Sequence, residues 1–188
     1  MIPWGRPGTG LRALLLGLAL LASPAAEPDE MPLSGRAEVI FMPGGEAGTR
    51  IIATLEAARQ QVLVQAYSFT HRAIADALVA ARRRGVDVRV IADPEQHDRI
   101  ATSLLDTLVM QGVPVYLDGQ HAAAHDKLMV IDAGLPDATV ITGSYNFSHA
   151  AEYRNAENLL ILRAVPGLAE AYAENWRRHR AHATPMRK

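Results

Sequence analysis

The stretch His125-Asp126-Lys127-Leu128-Met129-Val130-Ile131-Asp132 constrains this chain more than any other. Side chains alternate faces along a strand, so His125 and Lys127 point the same way. Leu128 to Ile131 are apolar in an unbroken run, as expected of a strand buried on both faces of a sheet. The pattern therefore sets an imidazole and an ammonium side by side at the mouth of a core strand. Desolvating that pair is costly unless an anion is bound there. Asp132 lies an odd number of residues from His125 and faces the other way, which gives it a role at the strand end or at an interface.

The chain has 188 residues and no cysteine. Disulfides, thiolate metal sites and a cysteine nucleophile are excluded. Residues 1–26 read as a secretory signal. Arg6 and Arg12 supply its positive charge, Leu11 to Ala22 is leucine-rich, and Ser23-Pro24-Ala25-Ala26 offers small residues for cleavage. The apolar run is about a dozen residues, short of the roughly 20 that span a bilayer. The expectation is an exported protein, periplasmic or secreted. Removing this leader leaves 17 basic against 20 acidic residues, a formal charge of −3. Bulk charge thus argues against a coat for nucleic acid and leaves room for a local basic cleft.

Residues 27–36 form a polar lead-in, residues 37–183 one domain, and residues 184–188 a tail. Strands are expected at 37–41, 62–67, 86–92, 113–117, 127–131, 138–142 and 157–162. Helices are expected at 47–60, 73–84, 100–110 and from Pro166 to about His182, each with apolar residues on one face. The five-residue link Ala133-Gly134-Leu135-Pro136-Asp137 suits a hairpin. The sum is an α/β sandwich, a mixed sheet flanked by helices.

In order, the second half reads His125-x-Lys127-x4-Asp132, Gly143-Ser144-x-Asn146 and Glu157-Asn158. This resembles the phospholipase D superfamily, whose signature is H-x-K-x4-D followed by G-S/T-x-N. Gln65 to Thr70 and Arg84 to Val90 look like the small, single-motif branch typified by the bacterial endonuclease Nuc. The resemblance covers most of residues 37–180 and implies a phospholipase D-like fold. The link at 133–137 looks longer than in small members and falls in a loop.

The chemistry can be argued beside the resemblance. A neutral imidazole at His125 can attack phosphorus and leave a phosphohistidine. Lys127 can hold the equatorial oxygens, Ser144 and Asn146 can donate to them, and Gly143 lets backbone approach the phosphate. These donors need neither metal nor cofactor. The family gives Glu157 the task of accepting from the second ring nitrogen of His125, and Asp132 a supporting role near paired sites. Superfamily members protonate the leaving group with a second histidine from a second motif. This chain has one motif, so a two-fold homodimer with a composite site is expected. Nucleic acid is the leading substrate, phospholipid the alternative, and a non-catalytic anion-binding homologue the third possibility.

Other residues have plainer explanations. His121 and His125 are four apart, with His149 further on, but no carboxylate stands at ligand spacing, so no convincing metal set emerges. Arg82-Arg83-Arg84 and Arg177-Arg178-His179-Arg180 read as solvated helix ends. Tyr67 and Phe69 read as core or cleft wall, with base stacking as the alternative. Asp93 reads as a strand-end turn or a cleft lining.

Overall fold

The computed structural model describes Met1 and residues 30–187. The expected secretory signal lies outside these residues. Contacts divide the chain into Met1–Glu30 and a compact unit, Met31–Lys188. Among the described residues no helix is long and apolar enough to cross a membrane.

The compact unit runs β1 (Arg36–Met42), α1 (Ala47–Glu56), β2 (Gln61–Ala66), α2 (Arg72–Arg83), β3 (Asp87–Ala92), α3 (Pro94–Arg99), α4 (Leu105–Met110), β4 (Val115–Leu117), β5 (Lys127–Ile131), β6 (Thr139–Gly143), α5 (His149–Tyr153), β7 (Glu157–Arg163), α6 (Pro166–His182) and β8 (Thr184–Pro185). The strands form one sheet in the order β1-β7-β6-β5-β2-β3-β4-β8. β2, β3 and β4 are parallel and every other pairing is antiparallel, so the sheet is mixed as expected.

The sheet is packed on both faces. Met129 and Ile131 of β5 join a core with Ile51 and Leu55 of α1, Ile74 and Leu78 of α2, and Leu108 of α4. Leu128 and Val130 face the other way, against Ala169, Ala173 and Trp176 of α6. The unbroken apolar run of β5 thus reflects a strand with no solvent face. Each such side chain contributes about 1.5–3 kcal/mol on burial. Trp176 is both wedge and latch: its indole N–H donates to the Val64 carbonyl at 2.9 Å, tying α6 to β2.

Three local expectations change. Asp93-Pro94, read as a strand end, also starts a helix: Asp93 accepts from the Gln96 amide at 2.8 Å and Pro94 opens α3. These are an N-cap and a first-turn proline, so one pair of residues ends β3 and begins the next element. The helix expected over 100–110 is shorter, Leu105–Met110. Thr184–Pro185 is no free tail but an edge strand beside β4.

Asp132 is the largest correction. It sits past β5 at the end opposite His125, some seven residues and roughly 23 Å of extended chain away. Its carboxylate accepts from three successive backbone amides, Arg59 at 3.0 Å, Gln60 at 2.7 Å and Gln61 at 2.9 Å. The Arg59 guanidinium lies 3.8 Å away. Asp132 therefore fixes the turn from α1 into β2, and does so from a left-handed backbone, φ 55°, a conformation Asp tolerates better than most residues. Within this chain its contacts all lie at the end of the strand opposite His125.

Asp132→Ala leaves those amides without their charged acceptor. Urea unfolding is expected to show a loss of about 2–4 kcal/mol, and turnover per folded molecule to stay within a factor of about two, because no atom near His125 is touched.

Candidate active site

The hydrogen-bonding register carries the functional residues to one end of the sheet. Lys127 opens β5 opposite Ala66, which closes β2. Gly143 closes β6 opposite Leu159. Glu157 opens β7 opposite Met42, the last residue of β1. Three neighbouring strands, β7, β6 and β5, thus present the motif along one rim.

At its centre, the Lys127 ammonium lies 3.0 Å from Nδ1 of His125 and donates to the His125 carbonyl. The Tyr67 ring stands 4.4 Å from the imidazole and 4.8 Å from the ammonium, so it is a wall for one and a cation–π partner for the other. Lys127 is only 9% exposed. Burial pulls its pKa below the ordinary lysine range, and the carboxylates of Asp126 and Glu157 pull it partly back. His125 itself is exposed. The result is an accessible imidazole resting on a half-desolvated cation.

Gly143 sits at φ 145°, and a Cβ there would meet the Asn158 carbonyl oxygen at 2.3 Å. Only glycine allows this close approach. It lets the next two amides, Ser144 and Tyr145, donate to that same carbonyl at 3.1 and 3.3 Å. The Ser144 hydroxyl donates to Glu157 at 2.5 Å and accepts from the Asn158 amide at 3.0 Å. Asn155 donates to the other Glu157 oxygen at 2.9 Å.

Glu157 is therefore beside the site but engaged with Ser144 and Asn155, not with His125. The expected carboxylate–imidazole bond is replaced by Lys127 at Nδ1. An ammonium donating to Nδ1 leaves the neutral ring's proton on Nε2. Attack through Nε2 requires the opposite tautomer.

The loop after Gly143 rests on residues that the motif does not name. Tyr145 donates to Glu152 at 2.7 Å, and Glu152 also accepts from the Gly48 amide at 2.9 Å. A buried carboxylate thus meets the N-terminal turn of α1, where the helix dipole favours negative charge. Burial and the bond to Glu152 push the Tyr145 phenol up, so it stays a donor. Burial pushes the neighbouring His71 imidazole down, against the pull of Glu152. No sequence spacing flagged Glu152 or His71; the only pointer was a tyrosine between Ser144 and Asn146.

Other expectations resolve simply. Phe69 is core, packed on Phe147 with ring centroids 6.0 Å apart. Asp93, besides capping α3, accepts from the Ala124 amide at 2.8 Å. It thereby pins the residue before His125. Asn146 is half-buried, and its Oδ1, like Gln65 Oε1 on β2, is buried without a hydrogen-bond partner. An unpartnered buried oxygen costs about 1–3 kcal/mol. Such costs gather where a bound group completes the bonding.

The family model described as "Cardiolipin synthase, PLD-like domain" matches residues 51–180. The chain belongs to the phospholipase D family. A crystal structure of a phospholipase D family member, Nuc from Salmonella typhimurium, superposes with a TM-score of 0.75 at 32% identity, covering 82% of this chain and 99% of that one. A protein named phospholipase D from Rickettsia typhi is 35% identical over 136 residues, 72% of this chain and 64% of its own length. The chain thus spans less than two thirds of that relative. Human mitochondrial cardiolipin hydrolase is 31% identical over 144 residues, 76% of this chain and 54% of its own length. The phospholipase D signature and the sheet rim coincide here except at Asp132.

Gly143→Ala forces the β6–β7 rim apart. Its expected cost is about 1–3 kcal/mol of backbone strain, read by urea unfolding. Activity should fall further than the folded fraction, because Ser144 and Asn158 move with the strand.

Proposed function

We propose that the protein is an exported phosphodiesterase that cleaves its substrate in two steps through a phosphohistidine, with nucleic acid as the leading substrate. The observation that carries this is the exposed His125 imidazole seated on the buried Lys127 ammonium, in a chain whose family signature is otherwise intact.

His125 attacks phosphorus with one ring nitrogen. The bond from phosphorus to the leaving oxygen breaks as the new P–N bond forms. Lys127, released from Nδ1, holds the equatorial oxygens where charge is greatest. Ser144 and Asn146 border the same space. Glu157, freed from Ser144, accepts a hydrogen bond from the second ring N–H and steadies the imidazolium. Water then attacks the phosphohistidine and regenerates the ring.

The departing oxygen needs a proton. One chain carries one motif histidine, so the donor is the His125 of a second copy across a two-fold axis. Exposed apolar residues adjoin the rim: Val39 and Phe41 on β1 are 52% and 71% exposed, and Phe41 pairs with Asn158 on β7. Such a patch suits burial against an identical chain.

Support for nucleic acid comes from the near-complete overlap with Nuc and from the surface beside the rim. There, Arg72, His71, His149 and Tyr153 line a cleft of about 290 Å³. His149 and Tyr153 stack with centroids 4.6 Å apart. A cation beside exposed rings suits a charged backbone and unstacked bases. The names of the other relatives favour a second reading, hydrolysis of phospholipid head groups such as those of cardiolipin. Both substrates present the same diester, so the motif serves either.

One panel separates the two: plasmid DNA, RNA, phosphatidylcholine and cardiolipin, each with EDTA present. Cleavage of the nucleic acids and not of the lipids is expected; the reverse transfers the assignment to lipid. His125→Ala should lower turnover by at least about 10⁴-fold with an unchanged sedimentation profile of a dimer. Glu157→Gln should lower it about 10²–10⁴-fold. A folded, dimeric protein inert on all four substrates would overturn phosphodiesterase activity.

A further inference from the structure

Three histidines and one aspartate meet on the same rim of the sheet as Lys127, but on its other flank, past β2 and β3 at the end of β4. Asp118 follows β4, His121 lies in the loop beyond it, and His179 and His182 close α6. Each offers a ligand atom, and these atoms all lie within 4.8 Å of one another. No part of the hydrolytic chemistry uses them.

The sequence concealed this group. Along the chain the histidines that follow His121 first are His125 and His149. Its partners in space come from a helix some 60 residues on, with Asp118 supplying the carboxylate that the earlier set lacked.

We propose that Asp118, His121, His179 and His182 form a binding site for a divalent transition metal, with Zn²⁺ as the best chemical match. Three imidazole nitrogens and one carboxylate oxygen are a donor set that Zn²⁺ accepts. In a tetrahedral site with ligand bonds of about 2.0–2.2 Å, neighbouring donors stand roughly 3.3–3.5 Å apart. Here Asp118 Oδ2 lies 2.7 Å from Nδ1 of His179 and 4.0 Å from Nε2 of His121, and its Oδ1 lies 3.1 Å from Nε2 of His182. The three distances bracket that spacing. The two helix residues are three apart on one face of the last turn.

The protein-only alternative leaves one group unexplained. His179 and His182 can each hydrogen-bond Asp118. His121 is too far at 4.0 Å, yet its ring stays 5.1 and 5.5 Å from the other two. An ion uses all three rings at once, each through a nitrogen lone pair.

The surroundings favour a cation. The site lies at the C-terminal end of a 17-residue helix, where the dipole is negative. Asp118 is fully buried. The Gln120 amide, 3.1 Å from Oδ1, fixes the carboxylate's orientation.

The ion would be a staple, with no contact to the reacting phosphate. It would join β4 to the end of α6 and, through His121, restrain the loop that runs to His125. Asp93 already holds the far end of that loop at Ala124. A metal at His121 would hold its near end.

The test uses the full chain without a histidine tag, stripped with chelator and dialysed. Titration with Co²⁺ should give about one equivalent per chain with the visible absorption of a four-coordinate ion, displaced by Zn²⁺. Zn²⁺ should raise the melting temperature of the wild type by several degrees. His121→Ala, on an exposed loop, and His182→Ala should each weaken binding at least ten-fold, and the double variant should lose the thermal shift. His125→Asn should bind as the wild type does. Absent binding in the folded wild type would overturn the proposal. So would binding that survives the double variant, or that is lost in His125→Asn.

Discussion

A lysine ammonium held almost out of water at the lip of a sheet is the constraint on which the rest of the site depends. Desolvating such an ion costs several kcal/mol. The fold returns part of this through the His125 carbonyl, the Tyr67 ring face and the carboxylates of Asp126 and Glu157. Burial still outweighs these, so the Lys127 pKa stays below its usual range. A dianionic transition state would supply the missing negative charge. The site is thus incompletely neutralised at rest, and its affinity is directed at something more anionic than the ground-state protein provides.

Most of this was legible in the primary structure. The apolar run Leu128 to Ile131 marks a strand buried on both faces, and both faces are packed. The i, i+2 spacing of His125 and Lys127 puts them together because a strand has period two. Asp132 shows where linear reasoning stops. A motif places residues near one another in sequence, whereas a strand carries its two ends far apart. The odd spacing already turned Asp132 away from His125, and its three amide partners come from the turn after α1, which no local pattern announces.

The same limit explains the residues that were missed. Glu152 works by reaching across to the first turn of α1, 104 residues away in sequence, and His179 meets Asp118 across 61. Contacts of that range depend on which helix crosses which strand. Asp93 is an intermediate case: its capping role is written in Asp-Pro, but the hold on Ala124 needs the end of β3 and the start of β5 to share one rim on either side of β2.

The hairpin from β5 to β6 carries one further consequence. Its base is secured by Asp132 and its tip, residues 133–137, projects from the rim opposite the imidazole. Peptide tags or fluorophores grafted there would stand a full strand length from His125. The molecule therefore has a permissive pole as well as a reactive one, and an immobilised or labelled form is best built from the permissive side.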